Sequence, residues 1–482
     1  MSFVSLQFPL FLAGVLLGLA IMPTRGSRQA FLLVANVVFY AAGTPWFILV
    51  LLVPAIVDYA CAIRMEESPD PRTRRRWLIL SLVVNLGVLF YFKYADFLVD
   101  AVASALGVQA APLMVVLPVG ISFFTFKTMS YTIDVYRGTI HACRRLWHYT
   151  MFVSFFPELV AGPIVRASVF LPQMTRHLQL SGHRFAAAIP LILLGLSKKL
   201  LVADRLAVFV DPVFANPGLY SQGTVASAVV AYALQIYCDF SGYTDIAIGV
   251  ARMIGFDLPE NFNMPYLATS ITDFWRRWHM TLSSWLRDYL YVPLGGNRRG
   301  RARTYVNLLI TMVLGGLWHG AAWTFVLWGL YQGAGLAVHK LWSEHFTNPL
   351  APRRINAVGA WALTFAFVCG GWVLFRAPDM ATAGIIAMKV IGAAPGGVEW
   401  FFLPFWLLLF VVAGAHALGV IAERQPGIPE AVEAWMPARR LRLLRLATPR
   451  GTVGSAFLVT AWLILLFLFS PMTHSPFIYF QF

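Results

Sequence analysis

Long apolar runs separated by short basic loops recur along this chain and leave few folds open to it. Crossing the hydrocarbon core takes about 20 mostly apolar residues in a helix, and several of these runs reach that length. The composition agrees, being 59% hydrophobic and 12% charged, against about a quarter charged in soluble proteins. The expected fold is therefore an all-α polytopic membrane protein. Its first apolar run, Phe8 to Met22, follows an uncharged stretch without a basic n-region. It reads as a first span rather than a cleaved signal peptide.

Charge orients the spans. The formal net charge of +15 falls mainly in loops between apolar runs, as cytoplasmic loops require, so a nucleic-acid partner is not indicated. Arg25 and Arg28 put the first loop inside and the N-terminus outside. Gly43-Thr44-Pro45-Trp46 splits residues 29–63 into two spans with an outer turn, and Arg64, Arg72, Arg74, Arg75 and Arg76 then fall inside. Spans near 77–95 and 113–133 return the chain to the cytoplasm at Arg137, Arg144 and Arg145. Residues 152–165, broken by Pro157, Gly162 and Pro163, suit a re-entrant or interfacial segment. Spans near 357–376, 400–421 and 452–470 bracket an inner loop with Arg424, Arg439, Arg440, Arg442, Arg445 and Arg450, and place the tail outside. The count is about 10–12 crossings, without a clear internal repeat. The chain reads as one integral-membrane unit, 1–482, with N-terminal spans at 1–145, a core at 146–340 and C-terminal spans at 341–482. Four scattered cysteines show no metal-ligand spacing, so no metal site is expected.

Within that frame His319 stands out. It sits in Leu314-Gly315-Gly316-Leu317-Trp318-His319-Gly320, inside the apolar stretch 305–338, which reads either as a hairpin turning near His319 or as one long broken helix. An ionisable group at that depth is costly and usually faces a cavity or a pathway. A second histidine, His279, follows Asp273-Phe274-Trp275-Arg276-Arg277-Trp278. At helical spacing Trp275, Trp278, Leu282 and Trp285 share a face while Arg276, Arg277 and Arg287 point elsewhere. That pattern predicts an amphipathic helix at the membrane surface, with His279 able to point inward toward His319. Two imidazoles suit proton transfer from a hydroxyl near neutral pH. No serine elbow or cysteine–histidine motif favours a covalent intermediate. Asp239 and Asp245, in Tyr237-Cys238-Asp239-Phe240-Ser241-Gly242-Tyr243-Thr244-Asp245, need partners such as Lys198, Lys199 or Arg252 and read first as a structural network. Gly295-Gly296-Asn297 beside Arg298, Arg299 and Arg301 lacks both nucleotide-binding glycine fingerprints and reads as basic anchoring on the inner face.

Taken in order, Phe156-Pro157-Glu158-Leu159-Val160-Ala161-Gly162-Pro163-Ile164, Asp239 to Asp245, Asn261-Phe262-Asn263-Met264-Pro265-Tyr266, the Trp-Arg-Arg-Trp-His run, Tyr289 to Asn297, Trp318-His319-Gly320 and the terminal Pro476 to Phe482 resemble the membrane-bound O-acyltransferase family. The likeness is to its bacterial branch that modifies exported polysaccharides such as alginate. The resemblance implies a ring of tilted helices, with re-entrant and interfacial helices, around a central tunnel in a bacterial inner membrane. It places His319 at the family's essential histidine and His279 at the second histidine of the polysaccharide branch. Trp318, Asp239, Tyr243, Asn263, Trp275 and Arg276 are the expected tunnel residues. No bound cofactor is expected. The expected donor substrate is a cytoplasmic thioester, acetyl-CoA, and the expected partners are the bilayer and a periplasmic acetyltransferase. Other short-acyl transfer (to cellulose, peptidoglycan or teichoic acid), a proton-coupled transporter and a scaffold are the rival expectations.

Overall fold

The computed structural model describes residues 1–160, 162–176, 180–345, 353–423, 452–471 and 475–478. Among them the chain is helical, with one isolated bridge between Tyr220 and Val398. The basic loop bearing Arg424 to Arg450 and the tail residues Tyr479 to Phe482 lie outside the described residues.

The N-terminal helices are α1 (Gln7–Ile21), α2 (Arg25–Ala41), α3 (Phe47–Glu67), α4 (Pro71–Leu106) and α5 (Ile121–Arg137). Their boundaries follow local chemistry. The Thr24 hydroxyl accepts from the Ser27 backbone N–H at 3.1 Å while Ser27 reaches back, closing a capping box on α2. The Asp70 carboxylate accepts from the N–H groups of Arg72 and Thr73, with Pro71 opening α4. The break between α2 and α3 falls at the Gly43–Trp46 turn, as expected. At 36 residues, α4 runs about 54 Å, well beyond an average hydrocarbon core. The span expected at 113–133 begins only at Ile121, because Pro112 and Pro118 keep the preceding segment extended.

The core begins with short pieces, α6 (Leu146–Ser154), α7 (Phe156–Leu159) and α8 (Ala167–Met174). Phe152, Phe155, Phe156 and Leu159 there are buried, so this irregular backbone lies inside protein as the proline and glycine pattern requires. A continuous helical run follows: α9 (Gly182–Leu196), a π-helical stretch at Ser197–Ala203, and α10 (Asp204–Ala215). The central pillar is α11 (Gln222–Met253), whose most apolar window is 78% buried, against 17% for α4. Gly195 and Gly242 face each other where α9 crosses it. A Cβ on Gly195 would stand 2.5 Å from the Gly242 carbonyl oxygen, so only small residues permit this approach.

After α11 come α12 (Ile271–Arg277) and α13 (Met280–Leu286), then the hairpin of α14 (Arg301–His319) and α15 (Trp323–His345). The chain continues through α16 (Arg353–Arg376), α17 (Met380–Val390), α18 (Leu403–Glu423) and α19 (Thr452–Phe469). The structure selects the hairpin for 305–338, with His319 the last residue of its first arm. It departs from the expected surface helix around His279. There are two short helices instead of one, broken where His279 adopts φ 41°. The tryptophan face is covered by protein: Trp275, Trp278 and Trp285 are all buried. Packing against the core thus overrides the amphipathic reading.

Five helices are long and apolar enough to cross a membrane, and shorter apolar helices accompany them among the described residues. Leu10, Leu17, Ile79, Leu80, Val83, Leu363 and Phe410 are among the many large apolar side chains on the outside. A surface of this kind is matched to lipid. Inside, several polar groups pair across helices. Asp58 of α3 accepts from Ser81 at 2.6 Å and from Asn85 of α4, and Thr128 of α5 donates to Asn85 at 2.6 Å. Lys127 pairs with Glu158 and donates to the Phe152 carbonyl at 2.5 Å.

Candidate active site

His279 is fully buried at the break between α12 and α13. A left-handed conformation costs a non-glycine residue about 1–2 kcal/mol, so the surroundings must enforce it. Asn261 does so. Its carbonyl oxygen accepts from the Met280 N–H at 2.9 Å. Its side-chain oxygen accepts from the Thr281 N–H at 3.2 Å, the Thr281 hydroxyl at 2.9 Å and His279 Nδ1 at 3.0 Å. The Thr281 N–H can only donate, so the Asn261 atom it meets is the oxygen, and the proton of neutral His279 is on Nδ1. Nε2 then presents its lone pair, and it has no hydrogen-bond partner among the described residues. The Thr281 hydroxyl also accepts from the Ile164 N–H at 3.0 Å, tying the 156–164 segment to this corner.

His319 is buried too. Its ring packs edge-on against Trp328 and Phe375, with centroids at 5.0 and 5.2 Å. Trp318 contacts both histidines: its indole is 6.2 Å from the His279 ring and 5.0 Å from the His319 ring. Trp318 is itself fixed, donating from Nε1 to the Ser122 carbonyl at 3.2 Å and stacking on Phe126 at 5.0 Å.

The end of α14 is held from α4. Lys93 Nζ donates to the carbonyls of Trp318 at 2.6 Å and His319 at 3.0 Å, and to the Ser122 hydroxyl at 3.3 Å, while the Tyr94 hydroxyl donates to the Leu317 carbonyl at 2.8 Å. A helix C-terminus leaves its last carbonyls without intrahelical donors and gathers partial negative charge. A lysine there answers both needs.

The remaining expected residues scatter. Trp275 sits behind Trp328, 5.9 Å away, and donates to Gln332 at 3.3 Å. Asp239 belongs to a buried network, where Lys199 bridges it at 2.7 Å and Asp204 at 2.9 Å, and its carboxylate accepts from the Ile478 N–H at 2.8 Å. Asp245 pairs with Lys198 at 2.6 Å. Tyr243 bonds Ser2 at 2.7 Å and packs on Phe477 at 4.2 Å. Asn263 is engaged through its backbone, its N–H donating to the Arg277 carbonyl at 2.9 Å. Arg276 is exposed, on the side of His339. The turn Gly295-Gly296 is held by Asn307, which donates to the Gly296 carbonyl at 3.1 Å.

The structure adds residues that the sequence reasoning passed over. From the Asp239–Asp245 motif it is Phe240 that reaches His279, edge-on at 4.7 Å. Asn261, two places before the expected Asn263, holds the imidazole. Trp328 carries a buried indole N–H with no hydrogen-bond partner among the described residues, on the ring that packs against His319. Lys93 lies more than 220 residues away in sequence from the backbone it caps, and no local pattern marks it.

Two buried imidazoles in contact with one fixed indole, one with a defined acceptor nitrogen, can accept and relay a proton in a water-poor interior. Comparison with known proteins narrows the chemistry. Residues 144–377 match the membrane-bound O-acyltransferase (MBOAT) family. The chain is 43% identical over 391 residues to a probable alginate O-acetylase of Pseudomonas aeruginosa, covering 80% of this chain and 73% of that one. It is 37% identical over 500 residues to a probable alginate O-acetylase of Pseudomonas putida, covering both chains in full. It is 35% identical over 395 residues to the peptidoglycan O-acetyltransferase of Helicobacter pylori, covering 76% of this chain and 74% of the relative.

Proposed function

The chain belongs to the membrane-bound O-acyltransferase family and is a multi-pass membrane O-acyltransferase; from that premise we propose that it takes an acetyl group from cytoplasmic acetyl-CoA and passes it across a bacterial inner membrane for O-acetylation of an exported polysaccharide, by way of a periplasmic partner enzyme. The probable alginate O-acetylases among its relatives support alginate as the final acceptor.

The observation that carries the mechanism is the pair of imidazoles about Trp318. In this reading His319 takes the proton from the attacking hydroxyl as its oxygen bonds to the thioester carbonyl carbon. His279, with Nε2 held as an acceptor by the Nδ1–Asn261 hydrogen bond, relays the proton that His319 takes. The tetrahedral oxyanion needs a donor already in place. Trp328 Nε1–H, buried beside His319, supplies it. Collapse breaks the C–S bond, and the thiolate of CoA leaves with the proton held on His319. The product is an ester, and both imidazoles return to neutral. No covalent acyl-enzyme is required.

The experiment is release of free CoA from acetyl-CoA by the protein in nanodiscs, with and without a hydroxyl acceptor, for wild type and His319→Ala. Loss of a general base costs about 10²–10⁴-fold, so the variant should fold and barely turn over. Full turnover by His319→Ala would remove that histidine from the chemistry. Well-folded wild type that cleaves no thioester would refute the proposed donor.

A further inference from the structure

Between α6 and α8 the chain runs through the interior with the short α7 as its regular structure, so its register is set by contacts rather than by a long helical ladder. Three anchors hold it. At its start the Phe156 N–H donates to the Asn36 side-chain oxygen of α2 at 3.0 Å. At its end the Ile164 N–H donates to the Thr281 hydroxyl at 3.0 Å. Between them Glu158 pairs with Lys127 of α5, and both side chains are buried. The Lys127 ammonium also donates to the Phe152 carbonyl at 2.5 Å and lies over the Phe152 ring at 4.6 Å. Gly120, at φ 77°, lets α5 begin directly against this segment: a Cβ there would stand 2.2 Å from the Leu159 carbonyl oxygen.

An enclosed ion pair adds little stability. Desolvating both charges offsets much of their attraction, and apolar residues of similar size are often as stable. Here Oε2 of Glu158 also lacks a hydrogen-bond partner among the described residues, which raises the cost. What the pair supplies is direction, because it ties one point of α5 to one point of the segment. Both points lead to the histidines. On α5, Phe126 precedes Lys127; its ring stacks on Trp285 at 3.6 Å and on Trp318 at 5.0 Å, and its carbonyl accepts from Trp285 Nε1 at 2.9 Å. On the segment, Ile164 meets Thr281, whose hydroxyl donates to the Asn261 oxygen that holds His279 Nδ1. Trp285 follows Thr281 by one turn of α13. The contacts therefore close a loop: Lys127 to Glu158, Ile164 to Thr281, and Trp285 back to Phe126 beside Lys127.

We propose that the Lys127–Glu158 pair positions His279. It fixes the register at which Ile164 meets Thr281, and through Thr281 and Asn261 it keeps the His279 proton on Nδ1 and leaves Nε2 as the acceptor. Both act through other residues and are positioning residues, not catalytic ones. The effect on rate rests on the acyl-transfer reading above; the effect on the imidazole can be read without turnover.

The test uses the full-length protein in nanodiscs. Lys127→Met/Glu158→Met removes both charges together, so no lone buried charge is left to unfold the protein. Its Tm should stay within a few degrees of wild type, while kcat for thioester cleavage falls about 10–100-fold with KM little changed, as a displacement near 1 Å at a reacting group allows. Glu158→Asp, which keeps the charge on a shorter arm, should fall between the two. Thr281→Val leaves the ion pair intact and breaks the link at its far end; it should lose as much, and combining it with the methionine pair should lose no more. Nitrogen NMR of histidine-labelled protein, with His279 identified by its loss in His279→Ala, should show the Nδ1–H form in wild type and a mixture of tautomers in the methionine pair and in Thr281→Val. Wild-type kcat in the folded methionine-pair variant, losses at the two places that multiply, or an unchanged His279 tautomer would overturn the proposal. Wild type that cleaves no thioester would overturn the acyl-transfer reading alone, because the tautomer still reports on the pair.

Discussion

Replacing Lys93 with methionine removes the cation that closes α14 while keeping most of its volume. Three hydrogen bonds go with it, two of them to the carbonyls of Trp318 and His319 at 2.6 and 3.0 Å. A hydrogen bond from a charged donor contributes about 1.5–3 kcal/mol, and a cation at a helix C-terminus up to about 2 kcal/mol. Part of that returns, because burying an ammonium is itself costly and a methionine stem is not. A net loss of about 1–3 kcal/mol in stability follows. The effect on turnover should be larger in proportion. Lys93 fixes the carbonyl of the residue whose ring does the chemistry, and a displacement near 1 Å at a reacting group costs about 10²-fold. Lys93→Met should lower kcat about 10–100-fold with little change in the KM for the thioester, and Lys93→Arg should recover much of it. CoA release and intrinsic tryptophan fluorescence during thermal unfolding, on the same nanodisc samples, give both numbers. Wild-type kcat and an unchanged Tm for Lys93→Met would refute the reasoning.

Two further substitutions probe the same region. Trp328→Phe keeps the ring beside His319 but deletes the indole N–H; kcat should fall about 10²–10³-fold with KM nearly constant, as steady-state CoA release will report. In Gly316→Ala the new Cβ would meet the Phe325 carbonyl oxygen at 2.2 Å across the hairpin, so α14 and α15 must separate at a cost of about 1–3 kcal/mol or more. Gly14→Ala, whose Cβ meets nothing within 4 Å, is the matched control in thermal unfolding.

What could be read from the sequence here was what depends on composition and local breakers. Apolar length marked the helices, the Gly43–Trp46 turn separated α2 from α3, and the embedded His319 drew attention through its isolation in an apolar run. Features built by distant contacts were not legible. No glycine or proline announces the break at His279, because its conformation is imposed by Asn261 and Thr281. The tryptophan stripe at 275–285 has the spacing of a surface helix, and only the packing of Phe126, Trp318 and Trp328 against it shows that it is interior. Asn261 and Asn263 differ by two positions, and nothing in their types tells which one meets an imidazole. A lysine near the end of a long span reads as interfacial until α14 is seen ending on it.

The central claim is that His279 and His319, both in contact with Trp318, act as one unit on one proton transfer. The measurement that tests it most directly is a double-mutant cycle on CoA release with an added hydroxyl acceptor, comparing His279→Ala, His319→Ala and the double variant. Groups that work as a unit are strongly non-additive. The account predicts that the double variant turns over about as slowly as His319→Ala alone. Independent effects that multiply in the double variant, or a His279→Ala enzyme at wild-type rate, would contradict it.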